Sequence, residues 1–183
     1  MGDMEVIGNK APRYEYTLNG SISWKGISLS VMFQGVGKRD WDPGAGSVYF
    51  WGSGPYAQVT VFKQHLDYWR EDNKGAYYPK PYTAGAGAIA QYRNKTSQSV
   101  DRYLQSAAYC RLKNLTISYD LPEKLVKKVG LNKTQVFFSG DNLLTFTSLA
   151  KMFDPEAIFT KNKYTEEGGK NYPINKVISI GLI

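Results

Sequence analysis

Residues 14–36, which read YEYTLNGSISWKGISLSVMFQGV, decide the fold class. Apolar and polar side chains alternate through residues 14–24 and again through 27–36, and this period of two is typical of β-strands with one apolar and one polar face. Only Lys25-Gly26 separates the two runs, which is the length of a tight hairpin turn. Such a turn pairs Trp24 with Ile27 and puts both apolar faces on the same side. The stretch therefore predicts an antiparallel hairpin.

Three further runs extend the same pattern. Residues 111–121, 134–142 and 174–183 alternate apolar with polar positions, although Phe137 lies in the polar phase of its run. Between 121 and 134, Glu123–Gly130 predicts a short helical turn. The two long connections are residues 37–108 and 143–172. Within the first, Val59–Asp72 predicts a helix, because Phe62, Leu66 and Trp69 have helical spacing.

The lengths of the runs favour a membrane β-barrel over a soluble β-sandwich. The first two runs have 11 and 10 residues, and a tilted strand needs about 9–11 to cross a bilayer, whereas soluble strands usually have about 5–6. Ser, Thr, Asn and Gln dominate the polar face of this hairpin, as a water-filled lumen requires. Aromatic residues mark the strand ends, as in the girdles at membrane interfaces: Tyr14, Tyr16, Trp24, Tyr109 and Tyr119.

Connection lengths give the expected orientation. Short connections follow residues 24 and 121 and long ones follow 36 and 142, and outer-membrane barrels have short periplasmic turns and long extracellular loops. The charged residues in the lipid-facing phase, Arg111, Lys113 and Lys176, then fall near the extracellular ends. About five strands cannot close a barrel, and lipid does not tolerate open sheet edges. Together with the missing secretory signal at Met1, this predicts a C-terminal piece of a longer chain.

Composition removes other classes of protein. The 183 residues carry a net charge of +7, the mean hydropathy is −0.42, and no apolar run approaches the ~20 residues of a membrane helix. With His65 and Cys110 as the single residues of their kinds, neither a disulfide nor a Cys/His zinc cluster can form within the chain. Gly-x-Ser-x-Gly and phosphate-loop motifs are missing. Asp154 and Glu156 could be a pair of catalytic carboxylates, but they flank a proline in a loop, which is typical of turn and surface residues. We expect no catalytic residue, no metal and no cofactor.

The positive charge does not predict a nucleic-acid site. The 23 Lys and Arg residues are scattered, and the densest cluster is Lys124, Lys127 and Lys128. A nucleic-acid interface calls for a basic stripe interleaved with stacking aromatic residues. A basic nucleic-acid binder stays an alternative that strongly salt-dependent binding to a polynucleotide would reveal.

A series of short motifs, in order along the chain, resembles the C-terminal end of the SusC/RagA family, TonB-linked outer-membrane transporters of Bacteroidetes. The matching segments are Gly2-Asp3, Val6–Asn9, Pro12–Tyr14, Trp24–Gly26, Phe33–Asp40, Tyr68–Asn73, Ala76–Pro79, Arg111–Leu115, Tyr119–Pro122, Gly140–Leu143, Thr145–Thr147, Asp154–Glu156 and Tyr172-Pro173. The chain departs from the family in Glu71, where a proline is frequent, and in ending at Ile183 without a terminal Phe.

The resemblance implies the fold and the partners. It implies an all-β fold, in which this chain supplies the last strands of a 22-stranded barrel and lacks the N-terminal plug. It further implies import of glycans or peptides with energy from TonB, which acts through the plug, and a SusD-like surface lipoprotein as lid. The alternative from the residues alone is a soluble all-β carbohydrate-binding module.

Two sets of residues are candidates for contact with a solute. The aromatic residues of the long connection suit sugar faces or a lid interface, with packing of the loop on itself as the alternative: Trp41, Trp51, Trp69, Tyr77 and Tyr78. The polar-phase residues predicted to face the lumen are Glu15, Asn19, Gln34, Asn114 and Asp120. For the apolar phase, Leu29→Arg is expected to block membrane assembly, because a mid-bilayer Arg costs ~2–4 kcal/mol.

Overall fold

The computed structural model describes residues 4–44, 47–53, 60–82, 99–159, 169 and 171–183. The chain divides into two compact units. The sheet unit comprises 12–39, 108–148 and 174–183, and the loop unit comprises 1–11, 40–107 and 149–173. No helix in the described residues is long and apolar enough to cross a membrane.

Five antiparallel strands form the sheet unit, in the order β1-β2-β5-β6-β7. Their bounds are Glu15–Trp24 (β1), Ile27–Val36 (β2), Tyr109–Asp120 (β5), Gln135–Thr147 (β6) and Val177–Leu182 (β7). All five predicted strands are present, but β6 runs five residues beyond the predicted end at 142 and β7 starts three residues after the predicted start. The second long connection therefore covers 148–176, so it is shifted toward the C-terminus and has nearly the predicted length.

The turn between β1 and β2 has the predicted geometry. Trp24 pairs with Ile27, and Lys25 and Gly26 both have positive φ, at 48° and 84°. Positive φ at both central residues is typical of the type I′ turn, whose twist matches that of the strands. The hydroxyls of Ser23 and Ser28 lie 2.8 Å apart on the polar face. Local sequence thus accounts for the turn type and the register of this hairpin.

Paired bulges change the phase of β5 and β6. Phe33 pairs with Leu112 and Met32 pairs with Asn114, so Lys113 is an extra residue in β5. Opposite it, β6 has its own irregularity around Asn142, which has a φ of 54°. A bulge reverses which face the following side chains occupy.

The expected lipid-facing positions beyond the bulge are consequently wrong. Arg111 lies opposite Gln34 and Tyr109 opposite Val36, which puts both on the polar face. Lys113 occupies the bulge, and Lys176 precedes β7. Alternation read from the sequence could not place these residues, because it assumes an unbroken period of two.

On the apolar face, partners that lie directly opposite one another form five rows across the sheet. From the hairpin turn upward they are Trp24-Ile27-Tyr119-Val136-Leu182, Ile22-Leu29-Ile117-Phe138-Ile180, Gly20-Val31-Leu115-Gly140-Ile178, Leu18-Phe33-Leu112-Leu144 and Tyr16-Gly35-Cys110-Phe146. Many of these side chains are exposed, including Leu18, Ile22 and Ile180. Aromatic residues occupy the first and last rows.

Phe137 has a specific partner on the polar face. It lies opposite Gly181, and a Cβ on Gly181 would come within 2.7 Å of the Phe137 ring. An aromatic ring over a glycine in the neighbouring strand covers backbone that the glycine leaves bare. This packing accounts for the one apolar residue that breaks the polar phase of β6.

The loop unit contains short elements around an aromatic core. Its regular segments are the strands Asp40–Trp41 (β3) and Gln105–Ser106 (β4), which pair with each other, the helix Val48–Trp51 (α1), and the 3-10 turns Lys63–Leu66 and Asp101–Tyr103. The buried cluster is Trp41, Phe50, Trp51, Tyr78, Ala107, Leu149, Phe153 and Ile158. It draws on both long connections.

The predicted helix over Val59–Asp72 is wrong in its described part. Val59 lies outside the described residues, and the 3-10 turn Lys63–Leu66 is the only helical segment between 60 and 72. Asp67 then accepts a backbone hydrogen bond from Tyr78, and Tyr78 accepts one from Trp69. Long-range pairing of this segment therefore replaces the local helical spacing.

The predicted helical turn between β5 and β6 is confirmed. Glu123–Val126 forms a single α-helical turn (α2), and the 3-10 turn Lys127–Val129 continues it. Gly130, with a φ of 79°, ends the segment in the left-handed conformation that glycine favours at helix ends. Pro122 stops β5 as expected.

Candidate functional site

A hydrogen-bonded polar ladder crosses one face of the sheet unit. Asn114 Nδ2 donates to Asp141 Oδ1 at 2.8 Å, and the Thr116 hydroxyl donates to Asn114 Oδ1 at 3.1 Å. Nearer the turns, Gln135 Nε2 donates to Asp120 Oδ1 at 3.0 Å. These pairs hold polar groups of neighbouring strands in fixed positions on one surface.

All five residues predicted to face the lumen share this polar face. The register places Asn19 in line with Met32 and Asn114, and Thr17 in line with Gln34. The full set is Glu15, Asn19, Gln34, Asn114 and Asp120. Their common face is what the pattern predicts, and their role toward a solute stays a prediction.

Arg111 joins the polar face through the bulge. Its side chain is buried, Nε donates to the Thr145 hydroxyl at 2.9 Å, and the guanidinium carbon lies 5.9 Å from the Tyr109 ring centre. The Arg111 guanidinium is thus held beside the Thr145 hydroxyl and the Tyr109 ring on the polar face.

Three of the aromatic contact candidates are packed inside the loop unit. Trp41 is 0% exposed and packs edge-on against Phe50 and Phe153, with ring centres 5.9 and 4.9 Å away. Trp51 is also buried, and its indole N–H donates to the Gly44 carbonyl at 2.7 Å. Tyr78 is 5% exposed. Trp41 and Trp51 offer almost no ring surface to an external molecule, so we assign them to packing, and Tyr78 packs in the same core.

His65 connects α1 to the segment that follows it. Its Nδ1 accepts the Phe62 backbone N–H at 2.9 Å, which leaves Nε2 as the protonated nitrogen that donates to the Phe50 carbonyl at 2.9 Å. Burial lowers the pKa of His65 below its usual 6.5. The neutral ring therefore links α1 to the 3-10 turn Lys63–Leu66 through two hydrogen bonds.

A turn stabilised by Asp67 presents the other two aromatic candidates. Asp67 accepts hydrogen bonds from Asn73 Nδ2 at 3.1 Å and from the Tyr77 backbone N–H at 3.1 Å, and the Asn73 contact is the largest cause of its lowered pKa. Trp69 is 39% exposed. Tyr77 is half-buried, and its hydroxyl accepts from Gln105 Nε2 at 2.8 Å. Trp69 and Tyr77 stay candidates for contact.

A cleft of about 550 Å³ opens beside this turn. Trp69 and Tyr82, which is 40% exposed, present rings to it, and Lys74, Lys80 and Arg102 supply cationic groups. The volume is within the range of about 300–1,000 Å³ that is typical of small-molecule sites. Its floor includes Tyr78, whose pKa is raised to about 12 by burial, so the ring is neutral.

The cationic and further aromatic residues of the cleft were missed by the sequence analysis. The Lys and Arg residues are scattered along the sequence, and Arg102 is 20 residues beyond Tyr82 in the chain. A local signal was nevertheless present, since lysines alternate with aromatic residues between Trp69 and Tyr82. Only the folded loop brings Arg102 and Tyr103 beside that stretch.

Asp154, Glu156 and Cys110 lie in a local turn and in a strand. Asp154 Oδ1 accepts the Glu156 backbone N–H at 2.9 Å, which makes it part of a local turn. Cys110 is half-buried on the apolar face opposite Gly35. In the described part of the chain, no group of three or more His, Cys, Asp and Glu residues is arranged to hold a metal ion.

Known proteins similar to this chain are receptors and transporters. It is 29% identical over 188 residues to TonB-dependent receptor P3 of Formosa agariphila, covering 98% of this chain and 17% of that protein. Identity to TonB-dependent receptor P26 of the same organism is 24% over 186 residues, covering 98% of this chain and 18% of the relative. The chain therefore spans less than a fifth of the length of these curated relatives. No protein-family model matches it.

Solved structures agree with these relatives. The RagAB peptide transporter is 28% identical with a TM-score of 0.55, covering 87% of this chain and 16% of that one. The RagAB peptide importer in its closed-closed state is 27% identical with a TM-score of 0.57, covering 90% and 16%. Sequence and fold thus show the same likeness, and the resemblance drawn from the motifs is confirmed.

Proposed function

We propose that this chain, which is related to the SusC/RagA transporters of the outer membrane, forms part of the wall of a TonB-dependent importer. The sheet unit contributes a partial barrel whose apolar face contacts lipid and whose polar face lines the passage. The cargo is a nutrient oligosaccharide or peptide, a SusD-like lipoprotein is the partner, and TonB acts through a plug domain that these 183 residues do not include. No covalent chemistry is part of this function.

The five apolar rows are the observation that carries the proposal. Along β1, eight residue steps lead from Tyr16 in the last row to Trp24 in the first. At about 3.4 Å per residue they span about 27 Å along the strand, or about 21 Å along the membrane normal at a tilt near 40°. This is close to the ~25 Å apolar band of outer-membrane barrels, with an aromatic row at each edge.

The open edges of the sheet support the same function. β1 and β7 are the outer strands, and each has one edge without a pairing strand in the described part of the chain. Unpaired backbone groups are costly in hydrocarbon, so the apolar face can enter lipid only when further strands continue the sheet on both sides. A soluble carbohydrate-binding module would instead have to cover this face with a second layer.

The relatives guide the choice of cargo. RagAB is described as a peptide transporter, and the Formosa proteins are described as TonB-dependent receptors. Import of an oligomeric nutrient is consistent with both descriptions. The aromatic and cationic cleft of the loop unit favours an oligosaccharide over a peptide, as argued below.

Accessibility of adjacent residues in β1 tests the two faces of the sheet. Leu18 and Asn19 lie at the same depth on opposite faces. In the complete natural protein with Cys110 replaced by Ser, we expect a charged, water-soluble thiol reagent to label Asn19→Cys in intact cells. Leu18→Cys should react only with an apolar maleimide. Equal labelling of both cysteines by the charged reagent would exclude a lipid-facing sheet.

Uptake by the same cells tests the transport function. A strain that carries the natural protein should accumulate the fluorescently labelled nutrient, and deletion of TonB should abolish accumulation without changing the labelling of Asn19→Cys. Accumulation that persists in the absence of TonB would contradict energy-coupled import while leaving the barrel assignment intact.

A further inference from the structure

We propose that the cleft of the loop unit binds an acidic saccharide, a sugar chain that carries carboxylate or sulfate groups. This inference rests on the proposed importer function and names the class of its cargo. The cleft lies entirely within the loop unit, between the Asp67–Tyr82 segment and the 3-10 turn Asp101–Tyr103.

The charge of the cleft has one sign. Lys74, Lys80 and Arg102 line it, and no Asp or Glu is among the lining residues that the structure describes. Within the described residues, neither Lys74 nor Lys80 has a carboxylate partner at ion-pair distance. Asp67, on the same segment, directs its oxygens to Asn73 and the Tyr77 backbone, and Asp72 pairs with Arg70 at 3.0 Å. The ammonium groups of Lys74 and Lys80 are therefore available to an anionic ligand.

Aromatic rings distinguish a saccharide from an acidic peptide. Trp69 and Tyr82 present exposed rings beside the lysines. Flat rings of this kind suit the C–H faces of a pyranose, while the ammonium groups reach the acidic substituents at its rim. An acidic peptide carries its carboxylates on flexible side chains without such a face, so it would use the lysines but leave the rings without a partner.

Contacts within the loop unit fix the walls of the cleft. Arg102 Nη2 donates to the Ala76 carbonyl at 2.6 Å, which ties the 3-10 turn to the opposite wall. Tyr103 packs edge-on against Trp51, with ring centres 4.8 Å apart, so the buried core fixes this side of the cleft. A site whose walls are fixed before binding loses less conformational entropy when the ligand arrives.

Titration calorimetry on the complete natural protein in detergent tests the inference. The probes are an oligogalacturonate, a sulfated oligosaccharide, a neutral oligosaccharide of the same length, and oligoglutamate. We expect at least one of the two acidic saccharides to bind, the neutral one to bind at least tenfold more weakly, and affinity to fall with salt, since exposed charges are screened.

Two double variants with the same change in charge distinguish binding in the cleft from attraction by the total charge of the protein. Lys74→Gln with Lys80→Gln should raise the Kd about tenfold, because each exposed pair contributes modestly. Lys63→Gln with Lys151→Gln, two exposed lysines outside the cleft lining, should leave the Kd within about twofold. Trp69→Ala should weaken saccharide binding, while oligoglutamate binding, if any, is unaffected by it.

Three results would overturn the inference. An equal loss of saccharide affinity in both double variants would indicate attraction by the total charge of the protein. Tighter binding of oligoglutamate than of either acidic saccharide would indicate a peptide site. Absence of binding by both acidic saccharides, in protein whose Asn19→Cys and Leu18→Cys variants label as expected, would reject the ligand class while the importer function stands.

Discussion

An arginine at Val31 should destabilise the membrane-inserted protein more than one at any other apolar position of β2. Val31 belongs to the third of the five apolar rows, midway between the aromatic rows of Trp24 and Tyr16. The charge would therefore lie near the centre of the hydrocarbon, where it is farthest from water and headgroups. The position of the lowest tolerance follows from the register, which places Val31 one row deeper than Leu29; the block of assembly expected for Leu29→Arg stays a prediction.

The expected magnitudes follow from depth. Arginine at the midplane of a barrel costs about 2–4 kcal/mol, and near the interfaces about 0–1 kcal/mol. Each row is two residues from the next, or about 5 Å along the membrane normal. We expect about 2–4 kcal/mol for Val31→Arg, a smaller cost for Leu29→Arg one row away, and about 0–1 kcal/mol for Ile27→Arg in the row of Trp24.

Equilibrium unfolding measures these costs. The complete natural protein and its variants are refolded into phosphatidylcholine vesicles, and the folded fraction is followed against guanidinium concentration by the shifted band of unheated samples in electrophoresis. Ser30→Arg is the matched control, because Ser30 is adjacent to Val31 in β2 and lies on the polar face opposite Ser21 and Thr116. It should change the free energy of unfolding by less than about 1 kcal/mol, since the lumen is wet.

Two outcomes would refute the reasoning. If Ser30→Arg costs as much as Val31→Arg, the two faces do not differ in environment and the apolar rows are not in lipid. If Ile27→Arg costs more than Val31→Arg, the aromatic rows are not at the interfaces and the depth assignment is wrong.

Two further predictions concern His65 and Gly35. Because burial lowers the pKa of His65 below 6.5, the stability contributed by its neutral ring is complete above pH 6.5 and is lost as the pH falls toward the folded-state pKa. Protonated Nδ1 cannot accept the Phe62 N–H, so protection of the Phe62 amide from exchange should fall between pH 7.5 and pH 5.5, and the fall should be absent in His65→Gln. One pH unit below 6.5 limits the loss to about 1.4 kcal/mol, or at most about tenfold in protection. An equal fall in both proteins would remove the histidine as the cause. Gly35→Ala would bring a Cβ into overlap with the Tyr16 hydroxyl and the Tyr109 carbonyl, so we expect the free energy of unfolding in vesicles to fall by about 1–3 kcal/mol. Gly20→Ala on the same face should be nearly neutral, because the nearest atom to its Cβ is 3.4 Å away. An equal loss of stability in both variants would contradict the specific overlap.

Local patterning predicted most of the sheet. The hairpin at Lys25-Gly26, the phase of Leu115 to Tyr119 and the single helical turn after Pro122 all depend on interactions between near neighbours in the chain. The same alternation placed all five polar-face candidates on one surface. In each case the information lies within a dozen residues, which is the range over which a period can be read.

Long-range packing decided what the pattern missed. The helix expected from Phe62, Leu66 and Trp69 gave way to a 3-10 turn, because the segment pairs its backbone with Tyr78 instead. Trp41 and Trp51 look like platform residues in a glycine-rich loop, yet both are buried. Burial depends on Leu149 and Phe153, about a hundred residues later, and no local window contains that contact.

The sequence by itself determined that the chain forms a two-faced antiparallel sheet, because alternation and turn chemistry act locally and agree with each other. Tertiary structure alone decided where the alternation breaks. The bulge at Lys113 moves Arg111 from the apolar to the polar face, and this depends on how β5 pairs with both neighbours at once. Tertiary structure likewise assembles the cleft, because Arg102 lines the same cleft as Lys74 and Trp69 only once the loop unit has folded around its aromatic core.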